Sequence, residues 1–278
     1  TEAMRLVAAA KVRRAQDQVL KSRPFADKLA RVLENIQSRV QFEAVDSLLL
    51  SKREVKSITL VCITADRGLC GGFNGSIIKY TKNLAHTLKN DGKNFKFLFV
   101  GKKAYQSLRR IYKDLIIDLV SDFANPKIEF EVASSIRDQV LKLFFDDEIS
   151  ECYLIYTKFK SAISQNVESQ KLLPVEKDDQ AENLTEAIMY DFEPDEEVIL
   201  DDIIPKNIAI QIHSALLENL ASEQGSRMTA MDNATRNAND MIDLSLIHIS
   251  EPTRPERIWC SGLWVKKKKG GGGGGGGG

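Results

Sequence analysis

No stretch of this chain approaches the roughly 20 consecutive apolar residues that a membrane-crossing helix needs. Apolar clusters such as Leu48–Leu50 and Leu115–Ile117 are fragments of amphipathic segments. Cysteine is scarce: four residues, with no C-x-x-C pair and no cluster of the three histidines. That disfavours a structural zinc site and a disulfide framework, and fits a reducing compartment. Neither charge sign is in surplus, because 39 basic residues balance 39 acidic ones across 278 positions. A dedicated nucleic-acid binder carries a basic excess, so nucleic acid is not expected as a partner. The aromatics are isolated, with no aromatic–basic interleaving suited to single strands.

No nucleophile–base set is evident either. His86 lies on an expected amphipathic helix and His213 on a long helix, and both read as surface or packing residues. Cys62 and Cys152 fall on expected strands and read as core thiols. Cys70 alone lies in a loop, beside Arg67, where a lowered pKa is conceivable. No cofactor or metal is expected.

At 43% hydrophobic and 28% charged residues, the composition is that of a globular chain of one large or two small domains. The first fifty residues have helical periodicity. Val12, Ala15, Val19, Ser22, Ala26, Leu29, Leu33, Ile36 and Val40 step by three and four, a heptad seam with Ser22 as its weak point. Pro24 should kink this helix or mark a local departure from it. An unbroken helix over residues 1–50 would be about 75 Å long, far more than a small globular domain needs. Residues 1–55 are therefore read as one long helical segment.

The middle, 56–204, alternates strand and helix. Ser57–Thr64 is β-branched and apolar, a buried strand. Asn74 can cap a helix running to about Lys89. Phe95–Val100, Leu115–Val120 and Cys152–Tyr156 read as further strands, and Lys102–Ile111 and Ile128–Phe145 as helices. The alternation predicts an α/β fold: a Rossmann-like parallel sheet with helices on its faces. Ser164–Val175 reads as an edge strand, because its polar–apolar alternation is imperfect. From Glu176 to Asp202 twelve carboxylates face one basic residue, Lys177, the pattern of a solvated loop and linker. Val198–Ile204 holds short apolar pieces that could return to the sheet edge.

A second long helix is expected from Pro205, a residue suited to a helix start, through about residue 246. Ile210, Ser214, Leu217, Ala221, Gln224, Met228, Met231, Thr235, Ala238 and Ile242 form its seam, smaller and more polar than the first. Two heptad helices at opposite ends of one chain, with a compact domain between them, fold most economically as an antiparallel coiled coil. The competing arrangement packs each helix separately on the α/β domain.

The tail has a different character. Ten of the 17 glycines lie at Gly262 or in Gly270–Gly278, and both tryptophans, Trp259 and Trp264, lie there too. Leu244–Arg254 matches the translation of a transposon-end sequencing adapter, Lys266–Lys269 that of an A run, and Gly270–Gly278 that of a G run. Residues 247–278 are read as this artefact and expected to be disordered. With no initiator Met before Thr1, both ends read as incomplete.

One cluster stands where a ligand turn would sit. Asp66, Arg67, Gly68, Leu69, Cys70, Gly71, Gly72, Phe73 and Asn74 follow a strand and open a helix. The spacing is G-x-x-G-G, neither G-x-G-x-x-G nor G-x-x-x-x-G-K-[ST], so dinucleotide and P-loop readings are weak. The structural alternative is a tight turn whose glycines permit positive φ or close backbone approach.

Three motifs, in order, resemble the gamma subunit of F-type ATP synthase. Ala3–Lys11 with Arg13–Gln16 is similar to its N-terminal helix, Ile63–Asn74 to its central glycine signature, and Ala221–Gln224 with Arg227–Thr235 to its C-terminal helix. The family's last helical stretch, rich in Arg and Gln, has no counterpart after about Leu246. The resemblance implies a non-catalytic rotor shaft whose helix pair stands in the hexameric ring of alpha and beta subunits. The α/β domain would lie at its foot beside the epsilon subunit and the membrane c-ring. It implies a peripheral position on the cytoplasmic face of the bacterial plasma membrane, and torque contacts at Met4, Arg5, Lys11, Arg13, Arg14, Gln224 and Arg227. Residues 1–24 carry six basic and two acidic groups, a net of +4 (6 − 2). That sign suits the acidic loops of the family's catalytic subunits. The remaining alternatives are a doubly wound nucleotide enzyme, which would need a phosphate fingerprint, and a coiled-coil scaffold, which would not need the three motifs.

Overall fold

The computed structural model describes residues 2–39, 49, 55, 57–124, 127–161, 164–175 and 196–250. Five strands form one sheet: β1 (Ser57–Ile63), β2 (Asn94–Val100), β3 (Ile116–Val120), β4 (Glu151–Phe159) and β5 (Gln165–Leu173). Their order is β3-β2-β1-β4-β5. The first four are parallel, and β5 returns antiparallel on β4 as an edge strand. Among the described residues five α-helices accompany them: α1 (Glu2–Arg39), α2 (Phe73–Asn90), α3 (Lys102–Leu108), α4 (Phe130–Phe145) and α5 (Glu196–Ser250).

The inner strands β1, β2 and β4 are largely apolar on both faces, as a doubly covered sheet demands. Ile58, Leu60, Cys62, Phe97 and Phe99 pack under Ile77 and Ala85 of α2 and Ala104 and Leu108 of α3. Residues one step along each strand point the other way. Val61, Ile63, Leu98, Val100 and Leu154 meet Ile136, Val140 and Phe144 of α4 and Ile208, Ile212 and Leu216 of α5. Ala15 and Val19 of α1 join this second cluster. The chain winds outward from β1 through α2 and α3 on one face, then crosses by α4 to β4 on the other. The winding therefore reverses between β1 and β4, the switch point at whose carboxyl ends sheets of this class form their ligand crevice.

Helix α1 runs through Pro24 without interruption. Leu20, Arg23, Pro24 and Phe25 are all exposed, so the hydrogen bond that the ring removes lies on the solvent side, where water replaces it. Of the first seam, Val12, Ala15 and Val19 are buried, with Ala8 one turn earlier, while Ser22, Ala26 and Leu29 are half-buried. The side chains of Leu33 and Ile36, and Val40, lie outside the described residues, as do residues 50–54 and 176–195.

Helix α5 corrects three expectations. It starts at Glu196, not after Pro205, which lies inside it. Val198–Ile204 is consequently helical and adds no strand to the sheet. At the other end the helix reaches Ser250, past the residue 247 at which a disordered tail was expected. Nothing in Leu244–Ser250 breaks a helix, and the next residues, Glu251 and Pro252, are where proline disfavours one. The rest of the tail lies outside the described residues. Between Asn207 and Gly225 nearly every side chain of α5 is at least largely buried, so the narrow seam understates its contacts. A helix held between other elements is covered all round.

The chain divides into two compact units, residues 1–236 and 237–278. The second contributes, among its described residues, the last stretch of α5, where Met241, Ile242 and Leu244 are exposed.

Candidate functional site

The turn from β1 into α2 sits at the crevice where doubly wound sheets bind ligands. Its first residue is still tied to the sheet, because the Thr64 N–H donates to the Val100 carbonyl at 2.7 Å. Asp66 then braces two neighbouring loops. Its Oδ1 accepts from the Lys102 N–H at 3.1 Å and its Oδ2 from the Asp122 N–H at 2.9 Å. The first of these satisfies a donor at the start of α3 that no local side chain caps. Arg67 and Gly72 lie at the surface. Leu69 and Gly71 take positive φ, 63° and 56°, a region that glycine enters without steric cost. Leu69 adopts the same region at a steric cost.

Asn74 does not cap α2. Gly72 stands at the cap position without a side-chain bond, and Asn74 lies in the first turn with its amide folded back over the loop. Its Oδ1 accepts from the Ala65 N–H at 3.0 Å and its Nδ2 donates to Cys70 Sγ at 3.0 Å. Cys70 is buried, and that burial pushes its thiol up, with the Glu223 carboxylate adding and Arg227 opposing. The expected low-pKa thiol is thereby overturned: desolvation outweighs Arg227. Burial also pushes the Cys62 and Cys152 thiols up to about 12, as suits core residues.

The crevice is filled from within the chain. Arg227 of α5 donates from Nη2 to the Gly68 carbonyl at 3.3 Å and to Glu223 Oε1 at 2.6 Å. A Cβ on Gly71 would stand 3.6 Å from the Ala230 Cβ, ordinary contact distance. Glu223 is 8% exposed, and burial raises its pKa while Arg227 and, more weakly, Lys11 oppose. Gln224 is buried beside it and donates to Glu223 Oε1 at 3.4 Å.

Lower on α5, Asn219 and Ser222 bond to β4. The Thr157 N–H donates to Asn219 Oδ1 at 3.3 Å, and Ser222 Oγ donates to the Thr157 carbonyl at 3.2 Å. The cluster of short polar residues in α5 was the signal for these contacts, but sequence alone names no partner. Gly101 was also missed. It has φ +99°, and a Cβ there would lie 2.1 Å from the Thr64 carbonyl oxygen.

The expected contact residues divide in two. Met4, Lys11, Arg13 and Arg14 are exposed on α1, and Arg5 is half-buried with Glu2 at 3.9 Å. Gln224 and Arg227 are largely buried, committed to the glycine turn and to Glu223. The structure thus joins Arg227 to Gly68, and leaves Arg13 and Arg14 free of described hydrogen bonds. His86 is exposed and bonded to Asn90 at 3.1 Å, and His213 packs edge-on against Phe130. Neither stands at the crevice.

Residues 1–250 match the family model described as ATP synthase. The chain is 43% identical over 244 residues to the ATP synthase gamma chain of Pelagibacter ubique, covering 87% of this chain and 84% of that one. It is 44% identical over 247 residues to that of Paramagnetospirillum magneticum, with the same coverage. Among solved structures it is similar to a chain of the Tetrahymena thermophila mitochondrial ATP synthase central stalk and c-ring. That likeness has a TM-score of 0.64 and 30% identity, over 84% of this chain and 98% of that one. A terminal helix seated in the crevice where a doubly wound enzyme would hold its ligand fits a stalk subunit rather than a catalytic one, and the chain belongs to the ATP synthase gamma chain family.

Proposed function

We propose that this chain is the central rotor shaft of a proton-translocating ATP synthase. It couples ion flow through the membrane sector to nucleotide turnover on the catalytic subunits, and makes or breaks no bond itself. Helices α1 and α5 form an antiparallel coiled coil standing inside the ring of alpha and beta subunits. The α/β domain sits at its base with the epsilon subunit and the c-ring, at the cytoplasmic face of a bacterial plasma membrane. Among the described residues no helix is long and apolar enough to cross a membrane, which suits a peripheral subunit of a membrane-bound complex.

The observation that carries the reading is the register between α1 and α5. Arg23 pairs with Glu218 at 3.4 Å. Lys11 acts on the Glu223 carboxyl, and Arg5, after Arg236, helps hold the Asp232 carboxyl low. Partners rise along α5 as they fall along α1, which supports an antiparallel pair. A shaft needs such a pair, because one helix alone is a poor lever. Rotation then presents a different face to each catalytic subunit, and coupling free energy is the difference in those contacts.

Met4, Arg5, Lys11, Arg13 and Arg14 are the contact residues of the shaft, with Gln224 and Arg227 acting from the partner helix by holding its geometry. Arg13→Glu with Arg14→Glu tests this in a complex reassembled with bacterial partner subunits. ATP-driven proton pumping should fall while the chain stays folded. Unchanged pumping would remove these residues from the contact.

A further inference from the structure

Helix α5 bonds to both backbone groups of one β4 residue, Thr157. The last pairing of β1 with β4 is Cys62 with Ile155. Strand β4 continues to Phe159, so beyond Ile155 its inner edge has lost its strand neighbour. On the outer edge β5 still pairs, with Thr157 opposite Val167. The N–H and C=O of Thr157 would be orphaned there, and both are buried, where an unpaired backbone group is costly. Asn219 accepts from the N–H and Ser222 donates to the C=O, at 3.3 and 3.2 Å. The two side chains are three residues apart and so share one helix face. Asn219, Ser222 and Thr157 are all buried, at 1%, 0% and 3% exposure.

We infer that Asn219 and Ser222 are the positioning residues that lock the shaft helix to the α/β domain, so that torque passes between them without slip. The inference rests on the rotor reading above. Apolar contact is non-directional, and a helix seated on a sheet by Ile208, Ile212 and Leu216 alone resists separation more than it resists sliding or rolling. Two bonds of opposite polarity to a single residue's peptide groups fix both the axial register and the rotation of α5. They act at the point where β1 ends, so the helix side chains stand in for the missing strand. Arg227 with Gly68 and Ser226 with Gln165, at 2.5 Å, extend the same line of polar contacts one turn further.

The test uses the full chain reassembled with bacterial catalytic and membrane subunits in liposomes. ATP hydrolysis and proton pumping are read together, with and without an opposing proton gradient. Asn219→Ala and Ser222→Ala, made separately, should hydrolyse ATP at the wild-type rate yet lose pumping as the opposing gradient rises. Ile212→Val trims the apolar seat and leaves both bonds, and should keep wild-type stoichiometry even where its thermal stability falls as far. Wild-type stoichiometry under load in both alanine variants would overturn the lock. So would an equal loss in Ile212→Val, because the effect would then follow stability alone. A wild-type chain that supports no pumping at all would instead overturn the rotor reading beneath it.

Discussion

The guanidinium of Arg227 reaches the main-chain carbonyl of Gly68 at 3.3 Å while holding the buried Glu223 carboxylate at 2.6 Å. One side chain thus joins the glycine turn to the terminal helix across 159 residues of sequence. Replacing Arg227 with Ala leaves Glu223 with its burial and without its strongest cation. A broken buried pair costs about 3 kcal/mol, and denaturant unfolding should report that loss. Adding Glu223→Gln should recover part of it, because the stranded charge is then gone. A double variant no more stable than the single one would separate the cost from the charge.

Gly101→Ala tests the loop that meets the turn. Its Cβ would lie 2.1 Å from the Thr64 carbonyl oxygen at a backbone φ of +99°. Main-chain overlap and left-handed strain together cost about 3 kcal/mol. A thermal midpoint within a degree or two of wild type would contradict the geometry.

Protonation of His213 should weaken the fold. Burial lowers its pKa from the ordinary value of 6.5, with Glu131 opposing. The folded imidazole then binds fewer protons than the unfolded one, so stability falls as pH drops below about 6.5 through the lowered value. His213→Gln should flatten the pH dependence of the unfolding midpoint in that window. An equally steep dependence in the variant would assign it elsewhere.

The crevice should not accept a nucleotide. Arg227, Ala230 and the glycine turn fill it, and the G-x-x-G-G spacing offers no phosphate cradle. Calorimetry of the chain with ATP or NAD should give no heat of binding. Micromolar affinity for either would contradict this.

The sheet was legible because both its faces are buried. Segments such as Ser57–Ile63 and Asn94–Val100 are then apolar runs bounded by turns, and their β-branched and aromatic content marks them as strands. The seam of α1 was legible at Val12, Ala15 and Val19 because that helix buries one face and exposes the other. The start of α5 was not, because proline favours a first turn by local chemistry, while tertiary burial of Ile204 and Ile208 decided where the helix begins. Asn74 misled in a similar way. An Asn before a helix is usually a cap, and here the Ala65 N–H competes for its oxygen. The locking role of Thr157, Asn219 and Ser222 depends on where β1 stops relative to β4, which is a property of register that no local pattern records.

The most direct test of the central claim is rotation itself. The chain would be assembled into a catalytic ring fixed to a surface, with a bead attached at Lys82→Cys on the exposed side of α2. ATP should drive unidirectional turning of the bead in three equal steps per revolution, one per catalytic subunit. Sustained hydrolysis by the assembled complex with a bead that never turns would contradict the account.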